Sequence, residues 1–225
     1  MTMPARLPVI TTYRWVPPFA RGLVRELRAR WAFEEVGIAY RVELIDHPYA
    51  KSEAHRRFQP FGQIPTYSDG AVEIFESGAI ALHIARQGSG LLPEDPAAQA
   101  RAVQWLIAAL NSIEPFVMDL AVVDVFEAGE DWSRARRPTV ERKLRERLQD
   151  LSAALGGREF LDDAFSVGDL MMVSVLRGVD RTDILADYPN LADYRARCEA
   201  RPAFRKALAD HLAPYVDADA PSAVA

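Results

Sequence analysis

The chain has 225 residues, of which 49% are apolar and 26% charged, and its formal net charge is −5. This length accommodates one large domain or two small ones, and the apolar share supports a packed core rather than extended disorder. Charges of both signs are interspersed without a basic block, so the composition argues against nucleic acid as a partner.

The only cysteine is Cys198, which excludes a disulfide framework and is compatible with a reducing compartment. We identify no run long and apolar enough to span a membrane, so no membrane partner is expected. The stretch from Met1 to Pro8 lacks the apolar core of a signal peptide. We therefore expect a cytoplasmic protein.

The first third of the chain predicts a strand, a helix and a second strand. Val9 to Arg14 is β-prone, and the prolines that follow favour a helix start, so we predict a helix from about Pro18 to Val36 that ends at Gly37. Tyr40 to Ile45 alternates weakly and is predicted to be a strand. This spacing is typical of a parallel β–α–β crossover.

A hairpin is predicted from Gln63 to Phe75, with Asp69-Gly70 as its turn. A helix is then expected to open at Ser77, with that serine as its N-cap, and to run to about Arg86. The order βαβ(α)ββα predicts a compact α/β domain over residues 1–86.

Residues 87–96 are rich in Gly, Pro and Ser and are interpreted as a linker. Residues 97–225 are predicted to form an all-helical domain. Its expected helices are Ala97–Ala128 with a bend at Pro115, Thr139–Leu155, Val167–Val179, Leu191–Ala200 and Pro202–His211. Ser166 and Asp169 have the spacing of a capping box, which we interpret as structural.

A proline stands inside the first hairpin strand, in Gln63-Ile64-Pro65, although proline cannot donate to a strand ladder. One solution is a cis Ile64–Pro65 bond, with the Ile64 backbone left free to pair with an extended peptide ligand. The alternative is an ordinary trans proline on an edge strand.

Glu76 and Ser77 stand where the next helix begins. The free N–H groups of a helix start bind carboxylates, and Glu76 could pair with a ligand ammonium, so the pair suits an amino-acid head group. The alternative is a plain cap beside a solvent-facing glutamate. The four histidines are scattered without a cysteine or carboxylate cluster at ligand spacing, and we predict no metal site.

Together these motifs resemble the cytosolic glutathione S-transferase superfamily, in a bacterial-type form of unclear class. The resemblance rests on Phe61-Gly-Gln-Ile-Pro-Thr, Phe75-Glu-Ser-Gly-Ala-Ile, the Leu-Leu-Pro linker, Ser166-Val-Gly-Asp169 and Tyr188-Pro-Asn-Leu191 with Arg201-Pro202. It implies a thioredoxin-like N-terminal domain, an all-helical C-terminal domain and a homodimer.

The resemblance also implies the roles of individual residues. Ile64, before the expected cis-Pro65, should pair through its backbone with the cysteinyl part of glutathione, and Glu76 with Ser77 should hold the γ-glutamyl group. Gln63 matches a residue that contacts the tripeptide. Lys51 stands where some members place a cation for the glycine carboxylate.

The sequence departs from the family at the catalytic position. Members with a catalytic Ser or Cys place it just before Pro-x-x-Arg, and neither residue stands between Trp15 and Arg21. Tyr13 falls where other members use a tyrosine, and we take it as the catalytic residue. Trp15, Arg14, Arg21 or a backbone N–H remain alternatives, and a helix start after Pro17 would add a favourable dipole.

These features predict a glutathione transferase that activates the thiol of its co-substrate for attack on an apolar electrophile. The alternatives are a glutathione-dependent isomerase or reductase, or a non-catalytic glutathione-binding protein of the same fold.

Overall fold

The computed structural model describes residues 7–215, so residues 1–6 and 216–225, at the ends of the two predicted domains, lie outside the described part. The chain divides into two compact units: one runs to Leu91 and resumes at Pro202, and the other spans Leu92–Arg201. This division differs from the predicted helical domain of residues 97–225, which includes the last helix. That helix packs on the first helix of the first unit, where Phe204 meets Trp31 with ring centroids 4.7 Å apart.

The first unit is built on a four-stranded sheet with the strand order β2-β1-β3-β4. Its strands are β1 (Val9–Tyr13), β2 (Arg41–Ile45), β3 (Thr66–Ser68) and β4 (Glu73–Phe75). Its helices are α1 (Glu26–Val36), α2 (His47–Ala50), α3 (Glu53–Arg56), α4 (Ser77–Ala85) and α10 (Pro202–Leu212). Strand β1 pairs parallel with β2 and antiparallel with β3, which confirms the predicted thioredoxin-like α/β fold.

The first helix begins later than the sequence predicted. Pro18–Ala20 forms a short 3-10 helix, the chain turns at Gly22 with a φ of +82°, and α1 starts only at Glu26. A left-handed backbone at Gly22 cannot continue an α-helix, so the dipole expected after Pro17 is not supplied by α1. The predicted end is confirmed, because Gly37 takes a φ of +69° and its N–H donates to the Phe33 carbonyl.

The predicted Asp-Gly turn closes the hairpin between β3 and β4. The Asp69 side chain accepts hydrogen bonds from the N–H groups of Ala71 and Val72 at 2.9 and 2.8 Å. The hydrogen bond from the Val72 N–H lowers the pKa of Asp69, and the one from the Ala71 N–H acts in the same direction. This turn therefore fixes the register of the strand that leads into Glu76 and Ser77.

Five α-helices and no strand occur among the described residues of the second unit. They are α5 (Pro96–Ala108), α6 (Glu114–Ala121), α7 (Asp131–Leu155), α8 (Val167–Leu176) and α9 (Pro189–Glu199). A π-helical turn at Ala109–Ile113 joins α5 to α6 directly before Pro115, which has no N–H to give to an α-helical ladder. The helix predicted to start at Thr139 starts at Asp131, because Pro138 is accommodated inside α7.

The buried helix α8 begins with the predicted capping box. The Ser166 hydroxyl accepts from the Gly168 N–H, and the Asp169 carboxylate accepts from the Ser166 N–H. The structural interpretation of this motif is therefore confirmed.

One continuous helical stretch, Pro96–Phe126, is long and apolar enough by length and composition to cross a membrane. The expectation that no such run exists is therefore wrong. Core helices of soluble proteins meet the same criterion, so a single stretch of this kind is weak evidence for a membrane span.

Candidate functional site

The sheet register brings the separate sequence motifs to one end of the sheet. In the antiparallel pair β1–β3, Ile10 lies opposite Tyr67, so continuing the register places Tyr13 level with Ile64. In the pair β3–β4, Thr66 lies opposite Phe75, so the same continuation places Pro65 level with Glu76. Tyr13, the Ile64–Pro65 bond and Glu76 therefore lie side by side at the same end of the sheet.

The Ile64–Pro65 peptide bond is cis, as one of the two sequence interpretations predicted. No described residue hydrogen-bonds the backbone of Ile64, so its N–H and C=O are free to pair with another chain. These two groups offer a short edge of the kind that an extended peptide recognises.

The backbone of Gln63 is held in place by two buried side chains that precede it. The Nε2 of His55 lies 2.7 Å from the Gln63 carbonyl, and because a carbonyl only accepts, this nitrogen carries the proton. The Gln63 N–H donates to the side-chain oxygen of Gln59 at 3.0 Å. The N–H and C=O of Gln63, the residue before the cis Ile64–Pro65 pair, are thus both held, while the side chain of Gln63 stays exposed.

Glu76, rather than Ser77, occupies the N-cap position of α4. Glu76 is the only described non-glycine residue with positive φ, at +71°, and its side chain makes no capping hydrogen bond. Such a backbone costs energy, and residues of this kind cluster at ligand sites. The expectation that Ser77 is the cap is therefore wrong, because Ser77 is the first residue of the helix itself.

The hydroxyl of Ser77 is tied to a buried guanidinium. The Nη1 of Arg28, on α1, donates to the Ser77 Oγ at 3.1 Å, and Ser77 is 4% exposed. Because the oxygen accepts from Arg28, the hydroxyl proton is available to a further acceptor. The N-terminus of α4 and Arg28 together favour a negatively charged guest beside Ser77.

Lys51 lies at the end of α2, next to the loop that carries Gln63. A Cβ built on Gly62 would approach the Lys51 Cδ to 3.1 Å and the Ala50 carbonyl oxygen to 2.9 Å, so the Lys51 stem passes close to Gly62. The ammonium of Lys51 makes no ion pair with any described residue. It therefore provides an exposed positive charge within the first unit.

Tyr13 is the last residue of β1, and its ring stacks on His47 with centroids 3.9 Å apart and planes at 17°. Burial raises the pKa of Tyr13, so its hydroxyl stays protonated at neutral pH. No hydrogen bond from a described residue engages this hydroxyl. Tyr13 is therefore a neutral hydrogen-bond donor rather than a tyrosinate base.

The alternative activating residues have different surroundings. Arg14 is exposed and pairs with Asp46 at 3.4 Å. The Nε1 of Trp15 and the Nε of Arg21 are buried without a hydrogen-bond partner in the described chain. Trp15, Arg14 and Arg21 therefore stay alternatives to Tyr13.

The only cysteine does not belong to this site. Cys198 is fully buried in the helical unit, where burial raises the pKa of its thiol to about 12. A thiol with this pKa is not a nucleophile at neutral pH. Among the described residues no group of three His, Cys, Asp or Glu side chains is arranged to hold a metal ion.

Several supporting residues were not predicted from the sequence. His55, Gln59 and Arg28 act through hydrogen bonds to Gln63 and Ser77, and His47 lies against Tyr13. No local pattern signalled them, because each reaches its partner through the tertiary fold. The spacing of the histidines along the sequence excludes only a metal site and carries no signal for these contacts.

Three of the predicted residues supply different chemical features at this end of the sheet. A free backbone edge lies at Ile64, a carboxylate at Glu76, and a hydroxyl at a helix start at Ser77. This set is complementary to an extended peptide that carries both an ammonium and a carboxylate at one end.

Comparison with known proteins gives matches in both units. The family described as the N-terminal domain of glutathione S-transferase matches residues 19–86, and its C-terminal counterpart matches residues 114–202. Glutathione S-transferase 4 of Zea mays is 28% identical over 218 residues, which cover 88% of this chain and 92% of that protein.

Solved structures agree with this similarity. A theta class glutathione S-transferase from Xanthomonas axonopodis pv. citri, with glutathione bound, has a TM-score of 0.75 at 28% identity and covers 92% of this chain and 98% of its own. A glutathione transferase from Burkholderia graminis, with two glutathione molecules bound per subunit, has a TM-score of 0.80 at 22% identity, covering 90% and 88%.

Proposed function

This chain belongs to the cytosolic glutathione S-transferase superfamily, and from that premise we propose that it is a glutathione transferase acting on an apolar electrophile. The observation that carries the proposal is the shared position of the free Ile64 backbone, Glu76 and Ser77 at one end of the sheet. Glutathione, as co-substrate, is a peptide with an amino-acid head group and so matches these features.

In this proposal the Ile64 backbone pairs with the cysteinyl part of glutathione. Ser77 and the start of α4 receive the γ-glutamyl carboxylate, and Glu76 receives the ammonium. Gln63 contacts the tripeptide beside the cis-Pro65 bond, and Lys51 receives the glycine carboxylate. The support is the free backbone of Ile64, the available hydroxyl proton of Ser77 and the unpaired ammonium of Lys51.

Tyr13 is the proposed activating residue. Its protonated hydroxyl donates a hydrogen bond to the glutathione sulfur, which favours the thiolate over the thiol. The thiol proton passes to solvent, the sulfur attacks the electrophilic carbon, and a C–S bond forms as the leaving group departs with its electron pair. The support is the raised pKa of Tyr13 and the position of this residue opposite Ile64 when the β1–β3 register is continued.

Replacing Tyr13 with phenylalanine tests this role. We expect kcat/KM for conjugation of glutathione with an aryl halide to fall about 10- to 100-fold at neutral pH, because one hydrogen bond to a negatively charged sulfur is lost. The Kd for glutathione should change little. Tyr49→Phe, which alters an exposed tyrosine of the same unit, is the control. A Tyr13→Phe enzyme with the full rate would remove Tyr13 from the mechanism.

The wild-type enzyme separates the transferase from its alternatives. Binding of glutathione without turnover across a panel of electrophiles would favour a non-catalytic binding protein. Mixed-disulfide chemistry on the protein is disfavoured, because the one cysteine is buried with a pKa of about 12. A cytoplasmic location is part of the same proposal and is supported by the lack of any cysteine pair.

We also propose a homodimer. Only 33% of the most apolar window of Pro96–Phe126 is buried within one chain, Ile107 on α5 is 48% exposed, and Phe61 in the first unit is 60% exposed. A second copy would cover such surfaces. Light scattering should give twice the 25.1 kDa of one chain, and Ile107→Glu should shift this mass toward the monomer. A monomeric wild type at micromolar concentration would contradict the proposal.

A further inference from the structure

The end of the described chain returns to the segment that links Tyr13 to α1. His211 on α10 is fully buried, and the Gly22 N–H donates to its Nε2 at 3.0 Å. Since this nitrogen accepts, the imidazole proton lies on Nδ1, which donates to the Glu26 carboxylate at 2.5 Å. One side chain thus connects the turn at Gly22 to the first residue of α1.

The second contact comes from the 3-10 turn Ala213–Tyr215, which follows α10. The hydroxyl of Tyr215, a buried residue, donates to the Tyr13 carbonyl at 3.2 Å. The Arg21 guanidinium lies over the Tyr215 ring, 5.8 Å from its centroid, and the His211 ring meets the Tyr215 ring edge-on at 5.4 Å. The same turn therefore contacts both ends of the segment from Tyr13 to Arg21.

The held segment has little regular structure of its own. Residues 14–25 contain only the short Pro18–Ala20 turn, whose local hydrogen bonds include those from Ala20 to Pro17 and from Leu23 to Ala20. The segment therefore depends on contacts from elsewhere for its position. Helix α10 is itself anchored on α1, through the Phe204–Trp31 ring contact and a 2.9 Å bond from Lys206 to Glu34.

We propose that Tyr215 and His211 are positioning residues for catalysis, which set the place of Tyr13 and of the segment that follows it. This inference rests on the proposed transferase function. Proton donors near a reacting atom lose their effect when they are displaced by a fraction of an ångström to an ångström, so the support of such a group influences kcat. Helix α10 and the turn after it thereby influence the glutathione site through the segment that they hold.

Tyr215→Phe tests the proposal, because it removes the hydroxyl and keeps the ring. We expect kcat to fall about three- to tenfold, as for the loss of one hydrogen bond, with the KM for glutathione within twofold of wild type. The matched control is Tyr188→Phe, whose hydroxyl likewise donates to a backbone carbonyl, that of Arg145 at 2.9 Å, in the other unit. The control should lose stability and keep kcat.

Hydrogen exchange gives a second measurement that does not require turnover. The amides of residues 14–22 should exchange faster in Tyr215→Phe than in Tyr188→Phe or the wild type. Unchanged exchange in this segment would overturn the positioning role, even if the wild type proved to have no transferase activity. Unchanged kcat in an active Tyr215→Phe enzyme would overturn it as well.

Substitution of His211 provides a rescue experiment. His211→Phe removes both hydrogen bonds, whereas the amide of His211→Gln keeps both a donor group and an acceptor group and should recover most of kcat. We expect the kcat order wild type, Gln, Phe, with the largest fall for Phe. A folded His211→Phe enzyme with the wild-type kcat would contradict the proposal.

Discussion

Replacing Asp169 with alanine should lower the free energy of unfolding by about 3–5 kcal/mol, the largest loss of stability that we expect from one substitution. Its fully buried carboxylate accepts from the N–H groups of Leu161 and Ser166 and from the Tyr194 hydroxyl, each at 2.9 Å. Burial raises the pKa of Asp169, while these hydrogen bonds act to lower it. Alanine would leave all these donors buried without an acceptor.

Urea unfolding of the wild type, Asp169→Ala and Asp163→Ala measures this difference. Asp163 is in the same loop region, but its side chain is 95% exposed and its contact with Arg101 is 3.7 Å. The control should therefore lose less than about 0.5 kcal/mol. Equal losses in the two variants would show that the buried hydrogen bonds of Asp169 do not stabilise the helical unit.

Replacing Ser77 with alanine should weaken glutathione binding about 10- to 100-fold, because a hydrogen bond to a charged group contributes about 1.5–3 kcal/mol. The same substitution removes the acceptor that Ser77 offers to the Arg28 guanidinium. A modest loss of stability should therefore accompany the loss of affinity. Titration calorimetry with reduced glutathione, well below the melting temperature, measures the affinity.

Ser133→Ala is the matched control for Ser77→Ala. Ser133 is also buried, but it lies on α7, and its hydroxyl oxygen has no hydrogen-bond partner in the described chain. This variant should bind glutathione as the wild type does. A Ser77→Ala protein whose Kd stays within twofold of wild type would exclude Ser77 from the γ-glutamyl site.

Local sequence signals predicted the features of the fold that depend on local geometry. The Asp69-Gly70 turn, the end of α1 at Gly37 and the Ser166–Asp169 capping box each need only a few adjacent residues, and all three occur. The proline at position 65 likewise limited the backbone to few conformations, and the cis form is one of the two that the sequence allowed.

Sequence signals failed where neighbouring residues permit more than one backbone path. Two prolines suggested a helix start at Pro18, but the left-handed Gly22 delays α1 to Glu26. A proline at position 138 favours a helix break, yet α7 continues on both sides of it. In that region Arg137 forms hydrogen bonds with Asp124 and Glu141, and these support a helix that the local pattern disfavours.

The supporting groups of the site could not be predicted because their partners are distant in sequence or are backbone atoms. His55, His47 and His211 hydrogen-bond the backbone of Gln63, Trp15 and Gly22 respectively. Any residue type can offer a backbone partner, so the residue at that position does not indicate the contact. The contact between His211 and Gly22 spans 189 positions, so only the fold reveals it.

The ionisation of bound glutathione tests the central claim most directly. The ultraviolet absorbance of the thiolate, followed during a pH titration of the saturated wild-type complex, gives the pKa of the bound thiol. A transferase of the proposed kind should lower this pKa by one unit or more from the free value of about 8.5, and Tyr13→Phe should return most of that shift. A bound thiol that titrates like the free one would contradict the account.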